Sequence, residues 1–494
     1  PRDSIRRQRQ MCIRDRSTIG RLTRHRTMAA AIDASHELLG QRERAVFARL
    51  AVFVGAFDLD AARAVGFDVD VPTATALEVL AALVDASMIT TDRTAGETRY
   101  RLLETLREYG LDRLREQGLE GDALRAHADY HLGLAEAADA VLGTPAFTPW
   151  VVRLTSCWAD MQRALDWSLA SQPRALTLRA APALTERWVR RGEAHEAGRY
   201  AVRMLEGDLE DVPARLHGWA HGAASFGKTL GADFAGAGTH AEAMTDLALG
   251  SGVVHGLVFC RWMSAHVAFG LGDLDAMRRH AVAALESCHG DGGDWDRAGP
   301  LSCLGYVALF GGKPEEAGHW FGQAASLYRD LGDLGQLVLS ALTPWAEATL
   351  RRGDASTAER LAIEAIEAGA GTVWEASALV QYAIVLHVLE DEGAAVAAAR
   401  RGLEVALDAD MEQWFRMALR ELARAYASLG DPERAVVFLA ASRLGIPLAA
   451  QEQAVYGPVE ATCREALGDT SHQELCTRGA TMSHDELVEL VFAP

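Results

Sequence analysis

Four groups of residues have types and spacings that could do chemistry. Gly222-Ala223-Ala224-Ser225-Phe226-Gly227-Lys228-Thr229 fits GxxxxGK[ST], the loop whose backbone amides cradle phosphates while its lysine and hydroxyl meet the outer phosphates and magnesium. His127 with His131, and His217 with His221, stand four residues apart, which puts two imidazoles on one helix face as the beginning of a zinc site. The loop His289–Asp296 gathers Asp291, Asp294 and Asp296 around glycines and could hold calcium weakly.

Each chemistry demands an element to position it. A phosphate loop follows a buried strand and opens a helix, yet Pro213–His221 contains no β-branched run, and no second strand with a metal-binding aspartate follows. The match also falls where a helical repeat expects its first helix and turn. Gly222, Gly227, Lys228 and Thr229 are therefore expected to belong to a repeat, with a P-loop ATPase as the alternative reading. Zinc needs a third and usually a fourth ligand, and neither histidine pair sits in HExxH, so ordinary helix-surface histidines are expected. The acidic loop lacks the EF-hand order and its closing glutamate, and reads as a solvated connection between repeats. No GxSxG and no dinucleotide fingerprint occurs. The chain itself is expected to hold no catalytic residue, no metal and no cofactor, and not to be an enzyme.

Composition narrows the classes. Hydrophobic residues at 49% and charged residues at 24% suit a folded rather than a disordered chain. The net charge of -19 argues against non-specific nucleic-acid binding by the whole molecule. Only Lys228 and Lys313 are lysines. No run of about eighteen apolar residues lacks a charge, so no membrane span is expected. Cys12, Cys157, Cys260, Cys288, Cys303, Cys463 and Cys476 are scattered, odd in number and without a CxxC, which favours reduced thiols and a cytoplasmic location. Residues 1–27 carry nine arginines against Asp3 and Asp15. The stretch Gln10–Arg16 resembles translated sequencing-adapter read-through, so this basic leader is given no functional weight and the protein is expected to begin upstream.

From Gln41 a small domain can be read. Val46, Phe47, Leu50, Ala51 and Val54 recur at helical spacing up to Gly55. Asp58 caps a short helix over Leu59–Val65. Pro72 and Thr73 open a third, with Ala76, Leu77, Leu80, Leu83 and Val84 as its apolar stripe. Met88–Thr91 and Thr98–Leu102 flank a polar turn and predict a hairpin. Three helices and a hairpin make a winged helix. Between Pro72 and Ser87 there is no Arg or Lys, so direct nucleic-acid contact is not expected of this chain.

Several segments here resemble one family. Arg24–Met28, Leu50–Phe57, Leu80–Ser87, Tyr100–Tyr109, His127–Tyr130 and Arg163–Trp167 are similar to actinobacterial STAND-class, NB-ARC-like ATPase transcriptional regulators. Those regulators join a nucleotide-binding ATPase to a winged helix and a TPR-like array. The resemblance implies that the winged helix packs on an ATPase module and restrains it, that ATP or ADP binds that upstream module, and that the output domain lies elsewhere. Family members often carry Met-His-Asp on the second wing strand, whose histidine touches phosphate. The matching positions are Leu102, Leu103 and Glu104, and leucine cannot donate that hydrogen bond.

The remainder repeats. Gly192-Glu193, Gly231-Ala232, Gly272-Asp273, Gly312-Lys313, Gly353-Asp354, Glu392-Gly393 and Gly430-Asp431 mark turns about forty residues apart. In one unit Gly305 and Ala308 precede the turn, and Ala317, Phe321 and Ala324 follow it in the TPR pattern. Ala423, Tyr426, Ala435 and Leu439 repeat the theme. Each hairpin leaves an apolar face that only its neighbour covers. Trp219, Trp262, Trp345 and Trp414 fall in or near first helices; packing is expected of most, and one or two could anchor a partner.

The expected architecture is mainly α, a small winged-helix domain followed by a TPR-like α-solenoid of helical hairpins. Its boundaries are 1–40 for the leader and the tail of an ATPase module, 41–120 for the winged helix, 121–175 for connecting helices and 176–494 for the array. The expected function is that of the sensor part of a signal-transduction ATPase regulator. The array would bind a protein or small-molecule inducer, and the winged helix would relay this to the chain's own ATPase module. A free-standing TPR scaffold is the further alternative.

Overall fold

The computed structural model describes residues 32–67, 71–94, 97–171, 174–207, 209–210, 212–231, 233–249, 254–288, 293–409, 411–443 and 450–493. The basic leader to residue 31 and loop residues 289–292 lie outside them. Two compact units divide the chain. One holds the described residues to Ala137 and Val152–Ala180; the other holds Ala138–Val151 and everything from Ala181.

In the first unit α1 (Gln41–Leu50) is followed by α2 (Leu59–Gly66), α3 (Thr73–Asp85), β1 (Thr90–Thr94), β2 (Glu97–Arg101) and α4 (Glu104–Glu116). Helix α1 lies at the centre, touching α2, α3 and α4. Its Phe47 and Leu50 are fully buried with Ala62, Val65, Leu80 and Leu83. Each such large side chain contributes ~1.5–3 kcal/mol by leaving water. Gly110 lets α4 approach α1, because a Cβ there would stand 2.7 Å from that of Ala51. Asp58 caps α2 by accepting from Ala61 N at 2.8 Å. The wing pairs Thr90 with Arg101 and Thr91 with Tyr100, and Phe57 adds a bridge to Tyr100 on the hairpin's other edge.

Helical spacing in α1 runs on to Val54, but the helix stops at Leu50. The amides of Val54 and Gly55 donate instead to the two carboxylate oxygens of Asp160, at 2.7 and 3.1 Å, from the helix Trp158–Ser171. A buried acceptor distant in sequence overrides the local period.

The second unit is an array of hairpins. Its first helices are the part of Arg174–Arg191 from Ala181 on, then Ala214–Leu230, Val254–Gly270, Asp294–Phe310, a broken helix ending in Thr343–Arg351, Glu375–Val388 and Glu412–Ser428. Each returns through a second helix, from Ala194–Leu205 to Pro432–Ser442. Successive first helices pack on one another more closely than second helices do, which places them on the inner side of the stack. The broken helix contains a π-helical stretch, Leu337–Leu342, just before Pro344. Proline has no N–H for the ladder, and Thr343 Oγ1 bonds back to Val338 O at 3.0 Å across the widened turn.

Hairpin turns at Gly192, Gly272, Gly312, Gly353 and Gly430 have φ of 71–82°, where L side chains are strained. An aspartate often follows and caps the next helix, as Asp273, Asp354 and Asp431 do. One turn differs from its sequence placement. Gly393 lies inside the helix Glu392–Asp408, and the left-handed position is Glu390 at φ 61°. Asp391 decides this by accepting from Ala394 N at 3.0 Å, completing the cap found in the sister turns.

Candidate functional site

The phosphate-loop match is helix. Gly222–Thr229 lies within Ala214–Leu230, whose interior amides bond to the helix's own carbonyls. Its glycines serve packing. A Cβ on Gly222 would stand 2.8 Å from Met244 Sδ, and one on Gly227 2.8 Å from both Gly198 Cα and Ala194 O of the preceding helix. Lys228 pairs with Asp233 at 2.6 Å, and Thr229 Oγ1 donates to Ser225 O at 2.8 Å. Leu102, Leu103 and Glu104 follow β2 rather than lying on it. Leu102 is buried, Leu103 is the residue before α4, and Glu104 bonds Arg107 at 2.6 Å.

The histidine pairs part company. His127 and His131 are not surface residues but almost wholly buried, 1% and 2% exposed, which corrects the expectation from sequence. His127 Nε2 lies 3.1 Å from Asp160 Oδ1, and His131 Nδ1 donates to His127 O at 2.8 Å. The helix Glu120–Ala138 carries both rings inward because its other neighbours on that face, such as Ala128 and Leu132, are core. The three could gather round a metal ion, but Asp160 already accepts two backbone amides and His127. The cluster reads as a polar clasp holding the end of α1. Burial lowers the His127 pKa despite Asp160, and burial with the neighbouring His127 holds His131 down to about 4. His221 meets His240 of the following helix, Nδ1 to Nδ1 at 2.9 Å, and burial with that neighbour lowers it to about 4. A second group, Glu460, His472 and Cys476, has ligand spacing too. There Glu460 is neutralised by Arg443 at 2.9 Å, which disfavours a cation.

The tryptophans divide as well. Trp219 and Trp262 are 2% and 4% exposed, so they are corrected from candidate anchors to core. Trp345 and Trp414 are half-buried. Trp345 lies across Gly318 and Gly322, where added Cβ atoms would stand 3.4 and 3.3 Å from its ring.

Sequence reasoning missed the array's main polar feature. On the inner row, Glu186 and Arg190 of Arg174–Arg191 bond at 3.0 and 2.5 Å. His255, near the start of Val254–Gly270, reaches Glu186 Oε2 at 3.2 Å through Nε2 and Asp296 Oδ1 at 2.5 Å through Nδ1. Arg190 also approaches Asp333 at 3.5 Å, and Asp333 accepts from Trp295 Nε1 at 3.0 Å. Trp219 and Trp295 flank the His255 ring at 5.4 and 5.5 Å. Burial opposes a charged imidazole here, but Asp296 and Glu186 outweigh it and raise its pKa to about 10. Burial likewise opposes the Glu186 carboxylate, and Arg190 with His255 brings it below the usual range. Asp333 is pushed up by burial against the pull of Arg190. The signal available was the period: His255 and Asp296 stand forty-one residues apart, one repeat, at equivalent places in successive first helices.

Among known proteins, the winged helix-turn-helix domain family matches residues 39–115. Proteins of Mycobacterium bovis and Mycobacterium tuberculosis, provisionally named HTH-type transcriptional regulators, are 38% identical over 190 residues, covering 38% of this chain and 21% of theirs. The chain thus spans about a fifth of the length of the curated relatives it matches. A STAND ATPase with a tetratricopeptide repeat sensor from Pyrococcus horikoshii covers 90% of this chain and 66% of its own at TM-score 0.43 and 12% identity. A Rap protein complexed with Competence and Sporulation Factor covers 73% and 93% at TM-score 0.47 and 13% identity. The chain is a winged-helix domain followed by a TPR-like helical array, and no helix among its described residues is long and apolar enough to cross a membrane.

Proposed function

We propose that the chain is the sensor and relay part of an ATP-dependent, STAND-type transcriptional regulator. The array binds a protein or small-molecule inducer, and the winged helix passes that state to a nucleotide-binding module encoded with it. The supporting observation is the outer face of α3. The helix a DNA-reading winged helix would lay in the major groove exposes Thr73, Ala74, Leu77, Glu78, Ala81 and Asp85, which include two acids and no cation. Phosphate contact needs positive charge, so this surface suits a protein partner better than DNA. The 38% identity to HTH-type regulators and the succession of winged helix and repeat array support the regulatory setting.

The test joins the chain to the nucleotide-binding module of its parent gene. Association through α3, weakened at least tenfold by Leu77→Arg in a folded variant, is the expected result. Tight binding of ATP by this chain alone, abolished by Lys228→Ala, would replace the proposal with the ATPase reading. Absence of any association with the module would leave the free-standing scaffold.

A further inference from the structure

Ala138–Val151 belongs to the array's unit, although the chain before and after it, at Ala137 and Val152, belongs to the other. It forms two single turns, Asp139–Val141 and Pro145–Phe147, and then the opening of the helix Thr148–Ser156, laid across the row of first helices. Its polar attachments are specific. Both carboxylate oxygens of Asp139 pair with the Arg215 guanidinium, at 3.0 and 2.5 Å. Four residues on, Gly143 turns with φ 72° and donates its N–H to Glu186 Oε2 at 3.3 Å. A Cβ there would stand 2.7 Å from His255 Nδ1, so only glycine passes. Eight residues on from Asp139, the Phe147 ring is fully buried beneath the Arg190 guanidinium, 5.1 Å from its centroid. Thr148 Oγ1 then donates to Leu331 O at 2.7 Å and accepts from Arg190 at 3.3 Å.

These are the contacts of a docked peptide: an ion pair at one end, one backbone amide on a buried carboxylate, one aromatic anchor, one hydroxyl at the other end. The segment's other side is open, with Ala140, Pro145, Ala146 and Pro149 exposed. It lies on the face and is not threaded through it. The seat is also complete without it. Glu186, Arg190, His255 and Asp296 bond to one another, so its departure breaks no link among them.

We infer that the first-helix face is a peptide site occupied in this state by the chain's own Ala138–Val151, bound as a succession of short turns. A partner segment bearing a carboxylate, a glycine four residues later and an aromatic ring eight residues later takes the same seat by displacing it. Both ends of the segment continue into the other unit, so its release reaches that unit through the chain itself. The inference rests on the sensor reading of the array and names its ligand class.

The test uses the full chain and a labelled synthetic peptide of residues 138–151, followed by fluorescence anisotropy. In the wild type the tethered segment competes at high effective concentration, and the peptide binds weakly. Asp139→Arg sets like charges against each other in the tethered copy while Arg215 still receives the free peptide. Its affinity for the peptide should rise at least tenfold. Adding Arg215→Asp rebuilds the tethered pair, removes the free peptide's partner and should return binding to the wild-type level. Thr148→Val, close in shape, should raise affinity in the same direction, and a peptide with Phe147→Ala should not bind. If Asp139→Arg and Thr148→Val both melt as the wild type does and neither gains affinity, the segment is a fixed part of the array and the inference is wrong. That failure leaves the sensor reading standing, because association with the nucleotide-binding module is measured separately.

Discussion

Nδ1 of His255 lies 2.5 Å from Oδ1 of Asp296, one repeat further along the chain. With Glu186 on its other nitrogen, the ring is held as a cation up to a pKa of about 10, well above the ordinary value of 6.5. A raised pKa contributes stability that is complete below about pH 6.5 and is lost as pH climbs toward 10, at ~1.4 kcal/mol per unit. The array should therefore melt at progressively lower temperature from pH 7 to pH 10. His255→Ala should cost ~3–5 kcal/mol at pH 7, because it leaves buried carboxylates without their partner. Calorimetry across this range checks both. An alkaline slope unchanged in the variant would show that His255 is not its source.

The first unit should respond in the opposite sense. His127 and His131 are buried neutral, with pKa values below 6.5 and that of His131 near 4. A depressed histidine contributes stability above 6.5 that is lost as pH falls through its folded value. Acidification from pH 6.5 to pH 5 should loosen the winged-helix unit while His255 keeps its charge in the array. Hydrogen exchange read by mass spectrometry over Phe53–Phe57 follows this, and protection there that does not fall between pH 6.5 and pH 5 would contradict the assignment. Asp160→Ala should remove the acceptor of Val54 and Gly55 and cost ~3 kcal/mol or more.

Periodicity carried much of the fold. The stripe Ala76–Leu80–Leu83 and the glycine turns at a forty-residue spacing are local signals, and they placed the winged helix and the hairpins. Polar clusters were harder to see. Asp160 meets Val54 across 106 residues and His127 across 33, and no spacing rule connects them. His127 and His131 looked solvent-facing because a pair of histidines on a helix does not reveal which side carries its core. Glu186, His255 and Asp296 become neighbours only after the repeats stack. Trp219 and Trp262 were visible as aromatic, but their burial depends on Phe259 and Trp295 closing over them.

Glu390 offers a test of the turn geometry. It holds φ 61° at an exposed position where sister turns use glycine, and left-handed backbone costs a non-glycine residue ~1 kcal/mol. Glu390→Gly should raise stability by ~0.5–1 kcal/mol, with thermal melting as the readout. The reverse change at Gly353 or Gly430, both at φ 82° with open space around the missing Cβ, should lower it by a similar amount. A destabilising Glu390→Gly would mean that the side chain does more at that turn than its backbone costs.

The glycines and lysine of Gly222–Thr229 make opposite predictions under the two readings of that stretch. In a helix, Gly227 is a contact point. A methyl group there would meet the backbone of Gly198 and Ala194, neither of which can rotate away, so Gly227→Ala should cost ~1–3 kcal/mol. Lys228 makes only an exposed pair with Asp233, so Lys228→Ala should shift stability by less than ~0.5 kcal/mol. A phosphate loop would reverse the order: Lys228 would dominate nucleotide affinity, and ATP would protect the chain against melting. Melting curves of both variants, with and without ATP and magnesium, decide between them. A packing role predicts that Gly227→Ala is the damaging change and that added nucleotide moves neither curve.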